Sequence, residues 1–120
     1  MELVVGGSFQ GKLDYVRKKW NKDSPVRIIN GLHRYVLRYM REQNTADTEE
    51  IEKAFREWLE QLLIQYPSLV IICDEVGYGV VPMEEKERAY REVVGRLLCF
   101  LAQRADCMER IVAGMPIRIK

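Results

Sequence analysis

Gly6, Gly11 and Lys12 stand at the spacing G-x-x-x-x-G-K, inside the stretch GGSFQGKL that covers residues 6–13. That spacing is the core of a phosphate-binding loop. Glycines let the backbone turn its N–H groups toward an anion, and a helix start adds positive potential there. Lys12 would meet the β- and γ-phosphates as a point charge. Gly6, Gly7, Ser8, Gly11, Lys12 and Leu13 are therefore the candidate phosphate-binding residues, with Lys12 also the candidate catalytic cation. The motif ordinarily closes on a Ser or Thr whose hydroxyl holds magnesium. Here that position is Leu13. The chain keeps the part that cradles phosphate and lacks the part that holds the metal. The plainer reading of the same residues is a glycine turn between a strand and a helix, with Lys12 in solvent.

Three further groups could do chemistry. Asp74 and Glu75 directly follow the apolar run LVIIC of residues 69–73. A carboxylate at a strand end faces a bound metal or a substrate hydroxyl; otherwise it caps a turn. Gly77 and Gly79 allow a tight loop beside it. Asn30 ends a second short apolar run. His33 is the sole histidine and reads either as a phosphate ligand or nucleotide carrier, or as a surface or capping side chain. The basic run Arg17-Lys18-Lys19 reads as a solvated helix face.

The elements that must position these groups follow from periodicity. Strands are expected at 2–5, 26–29 and 69–73, and a last one at 109–113 that leads through Gly114 to 117–119, either as one bent strand or as a hairpin. Helices are expected at 11–20, 31–42, 48–66 and 84–105, with turns at 21–25 and 44–48. Asp47 with Glu50 resembles a capping box before the third helix. That helix carries the clearest stripe: Ile51, Ala54, Phe55, Trp58, Leu59, Leu62 and Leu63. The run at 69–73 suits a central strand covered on both faces. Alternating strands and helices predict an α/β, three-layer domain with a mostly parallel sheet and helices on both faces. In such sheets ligands collect beyond the C-terminal strand ends, where the glycine loop, Asn30 and Asp74 would meet.

With 120 residues, one domain (1–120) is expected. A net charge of +1 makes no case for nucleic acid or a membrane surface. No apolar run is long enough to span a bilayer, and the N-terminus has no basic, apolar leader pattern. Cys73, Cys99 and Cys107 are widely spaced, which predicts reduced thiols in a cytoplasmic protein rather than disulfides or a zinc site.

The C-terminal half carries a more specific pattern. DEVGYGVVP, RAYREVVGRL, RAD and VAGMPIRIK occur in one register from residue 69 to 120, and LVVGGSFQGK stands near the start. This resembles the adenosylcobinamide kinase/adenosylcobinamide-phosphate guanylyltransferase family, whose corresponding patterns are N-E-V-G-x-G-I-V-P, a helix with R-D/E-x-x-G-R-x-N-Q, A-D, V-x-G-x-P-x-x-x-K and L-V-T-G-G-x-R-S-G-K-S. The resemblance implies a P-loop-type fold, GTP or ATP as the bound purine nucleotide, magnesium, a corrinoid partner, a role in cobalamin biosynthesis and a homo-oligomer. It places Glu75 on the family's loop acid, which makes Glu75 a second candidate catalytic residue.

The departures are equally informative. The family's Arg and Ser before the second loop glycine are Phe9 and Gln10; its loop-closing Ser is Leu13; its strand-end acid is Asn30; its Asn-Gln pair on the last helix is Leu98-Cys99. The family's segment with H-R-x-x-R-P-x-x-W, whose histidine takes the guanylyl group, has no counterpart between the first helix and the second strand. His33-Arg34 echoes it without the downstream Pro and Trp. The resemblance with these departures predicts a nucleotide-binding member linked to cobalamin biosynthesis, without guanylyl transfer and with kinase activity absent or very weak. The alternative is a catalytically silent paralogue that acts as a binding, regulatory or assembly subunit.

Overall fold

A computed structural model describes residues 1–20, 26–76 and 84–120. The expected turn at 21–25 and the loop glycines Gly77 and Gly79 lie outside the described residues. Among them run β1 (Glu2–Gly6), α1 (Lys12–Lys19), β2 (Ile28–Asn30), α2 (Leu32–Gln43), α3 (Thr48–Gln65), β3 (Val70–Asp74), α4 (Glu85–Arg104), β4 (Cys107–Val112) and β5 (Met115–Arg118). The strand order is β2-β3-β1-β4-β5. The first four are parallel, and β5 returns antiparallel to β4. This is the α/β fold with a mostly parallel sheet that the alternation of elements predicts, and it agrees with the P-loop-type fold that the resemblance implies.

Period-two alternation divides the strands between the two faces. Leu3, Val5, Ile71 and Cys73 point to the side packed by Leu32 and Val36 of α2, Ile51 and Leu59 of α3, and Val93, Leu97 and Leu101 of α4. Val4, Val70, Ile72 and Ile111 point to the other side, against Val16 of α1. Both faces of β3 are therefore apolar, which is why it reads as a continuous run. The layer over the second face is thin, and ion pairing supports it. Glu109 of β4, buried beneath α1, accepts from Tyr15 Oη at 2.5 Å and from Lys19 Nζ at 2.7 Å. Lys19 thus leaves the expected solvated face. Burial opposes its charge most, but the hydrogen bond it donates to Glu109 and the neighbouring Glu2 carboxylate outweigh that and hold the ammonium above its usual range.

Two local points are decided by the structure. The chain end is a hairpin and not a bent strand: Ala113 (φ 49°) and Gly114 (φ 78°) form a turn with two left-handed residues, the combination that matches strand twist. The capping box is half made. Asp47 Oδ1 accepts from the backbone N–H groups of Glu49 and Glu50, but Glu50 takes its bond from Thr45 Oγ1 instead of reaching back to Asp47. Thr45 Oγ1 itself accepts from the Asp47 N–H, so the box has no free donor left to close on.

Candidate functional site

The loop between β1 and α1 is shaped by close backbone approach. Gly6 has φ 154°, and a Cβ there would lie 2.6 Å from the carbonyl oxygen of Ile111. Phe9 (φ 58°) and Gly11 (φ 85°) carry the chain round through the left-handed region. The C-terminal hairpin pins the loop from outside. Gln10 Oε1 accepts from the Ala113 N–H at 2.7 Å, and the Gln10 carbonyl accepts from the Gly114 N–H at 2.8 Å. Sequence reading misses this role of Gln10, since no local pattern links residue 10 to residue 113. At the start of α1 the N-cap is Gly11, which has no side chain to cap the first-turn N–H groups. Lys12, 7% exposed, folds back to donate to the Gly7 carbonyl at 2.6 Å.

Beyond the loop stands Asp74, at the end of β3. Its Oδ1 lies 2.7 Å from Lys12 Nζ. Its Oδ2 accepts from Ser8 Oγ at 2.9 Å and lies 3.3 Å from His33 Nε2. His33 Nδ1 accepts from the Asp74 backbone N–H at 3.1 Å. The imidazole is therefore the neutral form with its proton on Nε2. Burial favours that form most, the Asp74 carboxylate opposes it, and the charges of Arg34 and Lys12 add to it; the net result lies below the ordinary histidine value. For Asp74, burial pushes the carboxyl up, but the hydrogen bonds from Lys12 and Ser8 outweigh it and hold the group below the usual range. A cavity of about 450 Å³ is lined by the loop from Ser8 to Asp14 and by Asn30, His33, Arg34 and Asp74.

This is a glycine loop of phosphate-loop spacing beside a strand-end carboxylate. Residues 5–119 match the family described as cobinamide kinase / cobinamide phosphate guanyltransferase. The chain belongs to this family. Relatives are named bifunctional adenosylcobalamin biosynthesis proteins. CobU of Salmonella typhimurium is 36% identical over 52 residues, 43% of this chain and 29% of that protein. CobP of Pseudomonas aeruginosa is 35% identical over 66 residues, 54% of this chain and 38% of that protein. CobU of Escherichia coli is 30% identical over 78 residues, 62% of this chain and 43% of that protein. The chain thus spans less than half the length of these relatives.

Within this family the departures acquire positions. Ser8, Gly11, Lys12 and Leu13 line the cavity, whereas Gly6 and Gly7 form the strand-to-loop bend behind it. Leu13 also packs on the Val16 cluster. Asn30, at the end of β2, pairs with Ile72, two residues before Asp74. Glu75 turns elsewhere: its N–H donates to the Gly6 carbonyl at 2.8 Å and its carboxylate accepts from Arg110 Nε at 2.8 Å. His33 is neither a surface nor a capping side chain; it is 12% exposed and bound to Asp74. No helix among the described residues is long and apolar enough to cross a membrane.

Proposed function

We propose that this chain binds the phosphates of a purine nucleotide, GTP or ATP, in the loop from Gly6 to Leu13, and serves cobalamin biosynthesis without guanylyl transfer. The observation that carries the reading is the position of Lys12. Its ammonium lies between the Gly7 carbonyl and Asp74, at the start of an uncapped helix and at the floor of the cavity. A phosphate there would meet backbone N–H groups and one cation that is already oriented.

The loss of guanylyl transfer is supported by His33. A nucleophilic imidazole needs a free nitrogen lone pair. Nδ1 uses its lone pair on the Asp74 N–H, and Nε2 turns its proton to the carboxylate. The remaining half of the family's chemistry is phosphoryl transfer to a corrinoid hydroxyl. Magnesium, when bound, would neutralise charge on the β- and γ-phosphates. The cavity offers hard oxygen donors for it in Ser8, Asp74 and Asn30, the set that suits this ion. Glu75, tied to Arg110, would act by joining the end of β3 to β4 rather than by touching the nucleotide. A second reading, a silent binding or assembly subunit in a homo-oligomer, is favoured by Leu13 and Asn30 standing where the family has a hydroxyl and an acid.

The test is a thermal-shift and turnover comparison on the purified chain. GTP or ATP should raise the melting temperature. Labelled GTP with magnesium and adenosylcobinamide should give no covalent guanylyl adduct. An adduct on His33 would overturn the loss of guanylyl transfer, and nucleotide-independent melting would overturn the binding reading. Phosphorylated adenosylcobinamide distinguishes the kinase half from the silent subunit.

A further inference from the structure

We propose that Ser8 and Asp74 form the magnesium-holding pair of this chain, in place of the hydroxyl that Leu13 lacks and the acid that Asn30 lacks. The inference rests on nucleotide binding in the loop. In phosphate loops of this kind the metal takes one hydroxyl from the residue after the lysine and one carboxylate from a nearby strand end. Leu13 cannot supply the first, and Asn30 has no charge for the second. Both chemical types nevertheless stand in the cavity, in contact with each other.

The geometry is specific. Ser8 Oγ and Asp74 Oδ2 are 2.9 Å apart. Neighbouring oxygens of an octahedral magnesium site with bonds of about 2.0–2.1 Å are themselves about 2.9 Å apart. A cation can therefore take both oxygens with the Ser8 proton turned aside and no movement of the backbone. Asp74 ends β3, the direct neighbour of β1, whereas Asn30 ends β2, one strand further out. The acid is thus brought closer to the loop, with Oδ1 on Lys12 Nζ at 2.7 Å. His33 Nε2 lies 3.3 Å from the same Asp74 Oδ2, and its Nδ1 accepts from the Asp74 backbone N–H, so the residue is tied to the imidazole at two points. Such a second partner on a ligating carboxylate fixes its orientation. Without an ion, the same contacts would serve only to latch the loop to β3, and the experiment separates the two.

Calorimetry would measure the binding of a non-hydrolysable GTP analogue with magnesium and with EDTA, for wild type and for Ser8→Ala, Asp74→Asn and Ser8→Ala/Leu13→Ser. Magnesium should tighten binding to wild type. Ser8→Ala and Asp74→Asn should each reduce that enhancement about tenfold or more, and Leu13→Ser should restore it in the Ser8→Ala background. The affinity in EDTA should rise for Asp74→Asn, which frees Lys12, and the magnesium enhancement of each variant is taken against its own affinity in EDTA. Melting curves check that each variant is folded. The same magnesium enhancement in all variants overturns the pair and leaves a latch. Metal-free binding that magnesium does not improve in wild type overturns the pair while nucleotide binding stands. No binding under either condition overturns both.

Discussion

Lys12 Nζ, at the start of α1, and Asp74 Oδ1, at the end of β3, lie 2.7 Å apart across the floor of the cavity. The pair neutralises itself, and a phosphate entering the loop must share the ammonium with the carboxylate. Lys12→Ala should therefore weaken nucleotide binding, by the roughly 1.5–3 kcal/mol of a hydrogen bond to a charged group, or about ten- to a hundredfold in Kd. Leu13→Ser in the otherwise native chain should strengthen the dependence of binding on magnesium. Calorimetry on both variants measures this, and equal nucleotide affinity for wild type and Lys12→Ala would contradict the phosphate-loop reading.

Ile71 is fully buried in β3, paired in register with Leu3 on one side and Ile29 on the other. Ile71→Asp places a charge where every neighbour is apolar. The cost exceeds what a small domain can absorb, and the variant should not fold. Circular dichroism on heating is the measurement; a soluble variant with a cooperative transition counts against β3 as the central strand.

Two glycines should respond in opposite directions. At Gly6 an added Cβ meets the Ile111 carbonyl oxygen at 2.6 Å, a backbone atom that cannot turn away, and φ is 154°. Gly6→Ala should destabilise by at least the roughly 1–3 kcal/mol of overpacking. Gly95 lies inside α4, and among the described residues no atom lies within 4 Å of the same position. Gly95→Ala should stabilise by about 0.5–1 kcal/mol through helix entropy. Urea unfolding of the two variants should show midpoints on either side of wild type.

Acid should act on the site in two steps. His33 is held below its ordinary value, burial being the largest cause, so the unfolded chain takes up this proton first. Its contribution to stability is complete above about pH 6.5 and declines as pH falls through the lower folded value. Asp74 is also held low, since its bonds from Lys12 and Ser8 outweigh burial. Its contribution is complete above about pH 3.9 and declines below that. Urea unfolding at successive pH values should show a slope beginning near pH 6.5 that His33→Gln removes. An unchanged slope in that variant would place the titrating group elsewhere.

Much of this architecture is legible in sequence because it is local. Alternation at 2–5 and 69–73, the 3.6-residue stripes of α2 to α4, and the spacing of Gly6, Gly11 and Lys12 are all set by neighbours along the chain. The strand-to-loop-to-helix context of Lys12 followed from the same local signals. What the linear pattern could not decide is which strand lies beside β1. Asn30 and Asp74 each end a short apolar run, and nothing in either run says which is nearer the loop. Strand order makes β3 the neighbour, and so brings Asp74, not Asn30, to Lys12.

The same reason explains His33, Gln10 and Lys19. A lone histidine near a helix start, a glutamine in a glycine loop and a lysine at a helix end are ordinary surface residues by composition. Their partners are Asp74, Ala113 and Glu109, 41, 103 and 90 positions away. The sequence by itself determined that a strand, a glycine loop of phosphate-loop spacing and a helix would follow one another, and that Leu13 stands where such a motif customarily has a hydroxyl. Only the tertiary structure decided which carboxylate, hydroxyl and imidazole would meet there. Hydrogen bonds between distant segments depend on sheet order and on the closeness of backbones, and neither leaves a periodic mark in the chain.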